Sequence, residues 1–242
     1  MQKNSKNNDL NKFADLNKSE QNEFIEKINK LAFESDKLSH LEKIFNICSD
    51  EQKSKIISIV SQFQEGNQVK FVQNHFQYCS EKQQDDVIEN IKGFSHESAK
   101  KDAFTNIFKN CNEKQQDDVI ENIKSFKSES NKAATFTSIF ENWNSSQEQQ
   151  DDIIKSIKGF KSESAKKEAF SGIFNKCSKE QKNDIIENIK GFKSESIKYD
   201  TIGFISNSCT EEQLNKLKAK PVLGLHTAKI TAVEDESKGM SK

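Results

Sequence analysis

The ten-residue block Gln83-Gln84-Asp85-Asp86-Val87-Ile88-Glu89-Asn90-Ile91-Lys92 returns unchanged at residues 115–124, and with three substitutions each at 149–158 and 181–190. Copies that begin at residues 83, 115, 149 and 181 lie 32, 34 and 32 residues apart. A chain with such a period is not free to build one arbitrary core. Each unit makes the same local structure, and neighbouring units bury the face that a single unit leaves wet.

The period runs beyond these four copies. A small polar residue followed three positions later by Glu or Gln opens every unit: Asn17/Glu20, Ser49/Gln52, Ser80/Gln83, Asn112/Gln115, Ser146/Gln149, Ser178/Gln181 and Thr210/Gln213. This is the capping-box signature of a helix start. Apolar residues then fall at i, i+1 and i+4, as in Val87, Ile88 and Ile91, which makes one helical face and predicts a short amphipathic helix A. Helix A stops at an apolar corner (Leu31, Phe63, Phe94, Phe126, Phe160, Phe192). The polar turn that follows, typified by Lys161-Ser162-Glu163-Ser164, supplies serines to cap a second helix. Helix B reads Ala99, Ala103, Phe104, Ile107, Phe108, Cys111 in the third unit, and Ala165, Ala169, Phe170, Ile173, Phe174, Cys177 in the fifth.

The predicted fold is therefore all-α: an α-solenoid of about six helix-turn-helix repeats plus a terminal half repeat. The units fall near 16–47, 48–78, 79–110, 111–144, 145–176 and 177–208, with the half unit at 209–221, where Pro221 ends helix A. Residues 1–15 are expected to be a disordered segment and 222–242 a loosely docked or disordered tail.

Composition excludes several classes. The 38 acidic residues balance 37 basic ones, so the excess of positive charge that dominates phosphate binding is missing. All the basic residues are lysine, leaving no guanidinium fork for phosphate or guanine. No run reaches the roughly 18 apolar residues of a membrane span, and residues 1–30 contain no apolar signal segment, so a cytoplasmic location is expected. Cys48, Cys79, Cys111, Cys177 and Cys209 share one repeat position and read as small buried hydrophobes, without metal-ligand spacing. His40, His75, His96 and His226 have no second ligand or nucleophile at useful spacing. No phosphate loop, nucleophile elbow or zinc-protease motif is present, so no catalytic residue, metal or cofactor is assigned and no enzyme is expected.

Three features bear on partners. The pairs Asp85-Asp86, Asp117-Asp118 and Asp151-Asp152 are expected to stack as an acidic ridge, either complementing helix dipoles or meeting a partner. Lys92, Lys124, Lys158 and Lys190 define an opposite, lysine-rich edge. Trp143 occupies the cysteine column beside a two-residue insertion, Asn144-Ser145, and reads as a local packing adjustment or an aromatic anchor.

The opening Cys177-Ser178-Lys179-Glu180-Gln181 resembles TAL-effector-type repeats, whose similar-length units begin with Glu-Gln. That resemblance implies a DNA-reading surface with a variable dipeptide before Gly-Gly. The corresponding stretch is instead nearly constant, Asn90-Ile91-Lys92-Gly93-Phe94 against Ser156-Ile157-Lys158-Gly159-Phe160, which opposes a base code. The expected function is a non-catalytic protein–protein scaffold or adaptor whose near-identical units present near-identical faces to an extended partner. The alternative is nucleic-acid binding along the lysine edge. The Lys-, Asn-, Ile- and Phe-rich composition matches codon drift in an AT-rich genome. By analogy, a host-directed factor of an intracellular bacterium fits, and Glu234-Asp235-Glu236-Ser237 resembles the acidic secretion signals of such factors.

Overall fold

The computed structural model describes residues 12–141 and 146–218. The described part of the chain is all-α, a series of antiparallel helical hairpins stacked in chain order. The odd-numbered helices are α1 (Lys18–Asn29), α3 (Asp50–Val60), α5 (Glu81–Lys92), α7 (Glu113–Lys124), α9 (Gln147–Lys158), α11 (Lys179–Lys190) and α13 (Glu211–Lys218). The even-numbered helices are α2 (Glu34–Ile44), α4 (Glu65–His75), α6 (Glu97–Ile107), α8 (Glu129–Glu141), α10 (Glu163–Ile173) and α12 (Glu195–Ile205). The odd set forms one layer and the even set the other. Trp143 and Pro221 lie outside the described residues.

The predicted capping boxes form. Ser80 Oγ accepts from Gln83 N at 3.4 Å while Gln83 Oε1 accepts from Ser80 N at 3.0 Å, and the same exchange opens α1, α3, α7, α11 and α13. At α9, Ser146 accepts from Gln149 N at 3.3 Å. The second helix is capped by Ser162 and Ser194, as the turn sequence implied, whereas α2, α4 and α6 begin without a side-chain cap. Several even helices tighten into a 3-10 turn at their ends, for example Phe108–Asn110, and a cysteine follows. There Cys111 and Cys177 donate their S–H to the carbonyls of Ile107 and Ile173, at 3.6 and 3.4 Å.

The core lies between the two layers. Val87, Ile88 and Ile91 of the odd layer are buried against Phe104, Ile107 and Phe108 of the even layer, and the pattern repeats along the stack. The corner phenylalanines, such as Phe94 and Phe160, are buried, but Leu31 in the first unit is exposed. Residues 1–11 of the segment expected to be disordered lie outside the described residues, and its last part is ordered. Residues 12–14 are helical, and Phe13 is fully buried with its ring 5.7 Å from Phe24, so it covers the open side of α1.

Even-numbered helices pack against one another more extensively than odd-numbered ones do. The closest approach joins α8 to α10. A Cβ at Gly172 would stand 2.3 Å from Thr137 Cγ2, so only glycine permits that spacing.

Candidate functional site

The repeated Gln-Gln-Asp-Asp block was read as a helix cap followed by an acidic ridge. Its geometry is that of a joint between units. Gln83, Gln115, Gln149 and Gln181 are all buried, with the cap satisfied by Oε1 or the backbone N–H. The Nε2 group of each reaches back to the preceding odd helix. Gln115 donates to Asp85 Oδ1 at 2.7 Å, Gln149 to Asp117 Oδ1 at 2.6 Å and Gln181 to Asp151 Oδ1 at 2.7 Å. Gln83 donates to the Asp50 carbonyl and Ser54 Oγ, and Gln213 to Asn183 Oδ1. The first described unit has Glu20 here, an acceptor with no N–H to send backward.

The rest of the block is also used. Gln84 and Gln116 donate to the Phe76 and Phe108 carbonyls that end the preceding even helix region, at 3.3 and 3.5 Å. The second aspartate meets the lysine of the unit before it: Lys92 pairs with Asp118 at 2.5 Å, Lys124 with Asp152, and Lys158 with Asp184 at 2.6 Å. Burial works against the charge of Lys92 and Lys124, but their carboxylate partners outweigh it and hold both pKa values above the ordinary lysine value. Lys190 pairs with Glu187 of its own helix at 2.9 Å. The acidic ridge and the lysine edge are therefore not separate surfaces; they interlock. Of the six aspartates named above, Asp86 is exposed and forms no ion pair among the described residues. Trp143, the aromatic anchor of the other reading, lies outside the described residues.

A second joint was not recognised in the sequence. The glutamate that opens each even helix reaches forward to the backbone of the next turn. Glu129 accepts from Lys161 N and Ser162 N at 2.8 and 2.7 Å, and Glu163 from Lys193 N and Ser194 N at 2.6 and 2.9 Å. Glu65 and Glu97 make the same pair of bonds, and Glu34 accepts from Gln64 N and Asn67 Nδ2. At Glu163 these N–H groups lower the carboxyl pKa directly; at Glu97 and Glu129 burial pushes it up and the donors more than offset that. The legible signal was a glutamate fixed at one position in every turn.

The even layer carries the variety. On its outer face the third unit has Asp102, Thr105 and Asn106, where the fourth has Ala134, Thr137 and Ser138, and the fifth has Glu168, Ser171 and Gly172. The expectation of near-identical exposed faces thus holds for the odd layer and fails for this one. Of these, Asp102, Thr105, Asn106, Ala134 and Ser138 line an open trough, where α4, α6 and α8 leave a depression of about 340 Å³, whereas Gly172 and Thr137 meet in the contact between α8 and α10.

The cysteines are inert packing residues. Burial pushes the thiols of Cys48, Cys111 and Cys177 up to about 12 and that of Cys79 to about 11. All five are free thiols. His75 takes the place that isoleucine holds in the neighbouring units (Ile44, Ile107); it is buried against Phe45 and Phe71, with Nδ1 3.4 Å from Asn46 Oδ1. Among the described residues there is no cluster of three or more metal-ligating side chains, and no helix is long and apolar enough to cross a membrane. No protein-family model matches the sequence, and no curated protein matches it either.

Proposed function

We propose that the chain is a non-catalytic scaffold that binds another protein along the trough of its even-numbered helices. The observation that carries this reading is a division of labour. Residues repeated from unit to unit are consumed in holding units together, as Gln115 and Glu129 are, whereas the trough is lined by positions that change from unit to unit, such as Asp102 against Ala134 and Asn106 against Ser138. Variation imposed on a regular frame is how a stacked-hairpin surface acquires a preferred partner without a pocket. The aspartates are a weaker choice of contact surface, because most already serve neighbouring units.

The test is affinity capture from the native cell with the full chain and two variants. Thr105→Arg, in the trough, is expected to lose the captured protein, and Asp86→Lys, on the odd layer, to retain it. The reverse result would move the partner surface to the odd layer. Nucleic-acid binding along Lys92, Lys124 and Lys158 is disfavoured by their ion pairs with aspartates. A salt-sensitive gel shift abolished by lysine-to-glutamine changes at those positions would restore it.

A further inference from the structure

The floor of the trough has a chemical character that narrows the partner. Gln73, Thr105 and Asn106 line it beside Val69 and Ala134. Amide and hydroxyl side chains both donate and accept, which matches the alternating N–H and C=O of an extended backbone. The two charged residues that line the depression face one another, Lys101 with Asp102 at 3.4 Å, so its floor carries no net field for a polyanion or a polycation; farther along the layer Lys167 pairs with Asp200 at 3.3 Å. An amphipathic helix would require a continuous apolar floor, and this one is mixed. At the C-terminal end of the layer, Tyr199 and Phe204 are 42% and 67% exposed, and the Lys167 ammonium lies 6.0 Å from the Phe204 ring centre. The two rings stand two helices beyond the depression, at the repeat positions that Lys101 and Asn106 hold within it, and exposed aromatic rings are the usual anchors of a binding surface.

We infer that the trough holds an extended, uncharged polypeptide segment, its peptide groups bonded by Gln73, Thr105 and Asn106 and one large apolar side chain seated against Tyr199 and Phe204. This rests on the reading of the trough as the partner surface. Helix spacings of roughly 8–10 Å over the four steps from α4 to α12 correspond to about ten to twelve residues of extended chain.

The test is selection of a displayed library of random 12-residue peptides on the full chain. Enriched peptides are expected to be poor in charge and to carry one large apolar residue towards one end. Synthetic copies should bind about tenfold or more weakly to Phe204→Ala and to the double variant Gln73→Ala/Asn106→Ala. Asp86→Lys should leave binding unchanged, with circular dichroism confirming that each variant remains helical. Enrichment of acidic or amphipathic helical peptides, or peptides insensitive to the trough variants, overturns the inference. If no peptide is enriched, a photo-reactive residue at position 105 separates the remaining cases. Cross-linking to a folded protein overturns the extended-segment inference and leaves the scaffold standing; no cross-link in cell extract overturns both.

Discussion

The two layers of this stack share a period and differ in what they do with it. In the odd layer, α5 and α7 have the same twelve-residue sequence, and most polar side chains of the repeated block bond to an adjacent unit. In the even layer, α6, α8 and α10 share their opening Glu-Ser, one lysine and buried residues such as Phe104, Phe136 and Phe170, while positions such as Asp102, Ala134 and Glu168 diverge. Identity along a repeat thus marks joints as well as core, and divergence marks the surface left over.

Five substitutions probe that contrast, in falling order of expected effect. Phe104→Ala empties the core that both layers share and should cost about 3–5 kcal/mol in urea denaturation of the full chain. A loss below 1 kcal/mol would mean the layers are not packed on a common core.

His75 comes next, because it breaks the pattern of its own layer. Burial lowers its pKa from 6.5 to about 4, so the folded chain holds the neutral ring while the unfolded chain takes up a proton below 6.5. Stability is full above pH 6.5, falls as pH drops through the window to about 4, and is flat below it with respect to this group, a loss of roughly 2–3 kcal/mol at most. His75→Ile, which restores the residue of the other units, should flatten that slope. The forward-reaching glutamates have lowered pKa values, so their contribution is lost only at more acidic pH, below about 4.5. An unchanged slope between pH 6.5 and 4.5 in the variant would place the titration elsewhere.

Gln115→Leu should cost about 1–3 kcal/mol, since it strips a buried donor from Asp85 and an acceptor from the cap of α7. A neutral result would show that the odd layer is held by apolar contact alone. Gly172→Ala should cost about 1–3 kcal/mol by forcing Thr137 aside, and adding Thr137→Ala should recover much of it. Additive losses would argue against close approach at this step. Thr105→Arg should alter stability by no more than about 0.5 kcal/mol, because its side chain faces the trough and no joint. A large loss there would erase the distinction between frame and surface.

Much of the fold was legible because it depends on local periodicity. The spacing of Val87, Ile88 and Ile91 defines a helical face whatever surrounds it, and Ser80 with Gln83 defines a start. The joints were hidden because they link residues about thirty positions apart, and polar contacts at that range leave no periodic trace. Gln115 was readable as a cap through its Oε1, but its Nε2 bond to Asp85 was not. The trough was hidden for a different reason. Its residues come together only when α4, α6 and α8 pack side by side, and Thr105 and Ala134 share no motif that sequence spacing alone would group.

The two joints run in opposite directions along the chain, and this has a consequence for how the molecule grew. Every internal hairpin brings an amide that reaches back and a carboxylate that reaches forward. A hairpin duplicated between two others therefore arrives with both of its connections and leaves none open on either neighbour. Among the described residues Glu20 has no amide to offer, and Glu195 pairs with Lys198 in its own helix. Length in such a chain is a heritable variable that changes in whole steps, and each step adds a fresh stretch of trough for selection to act on.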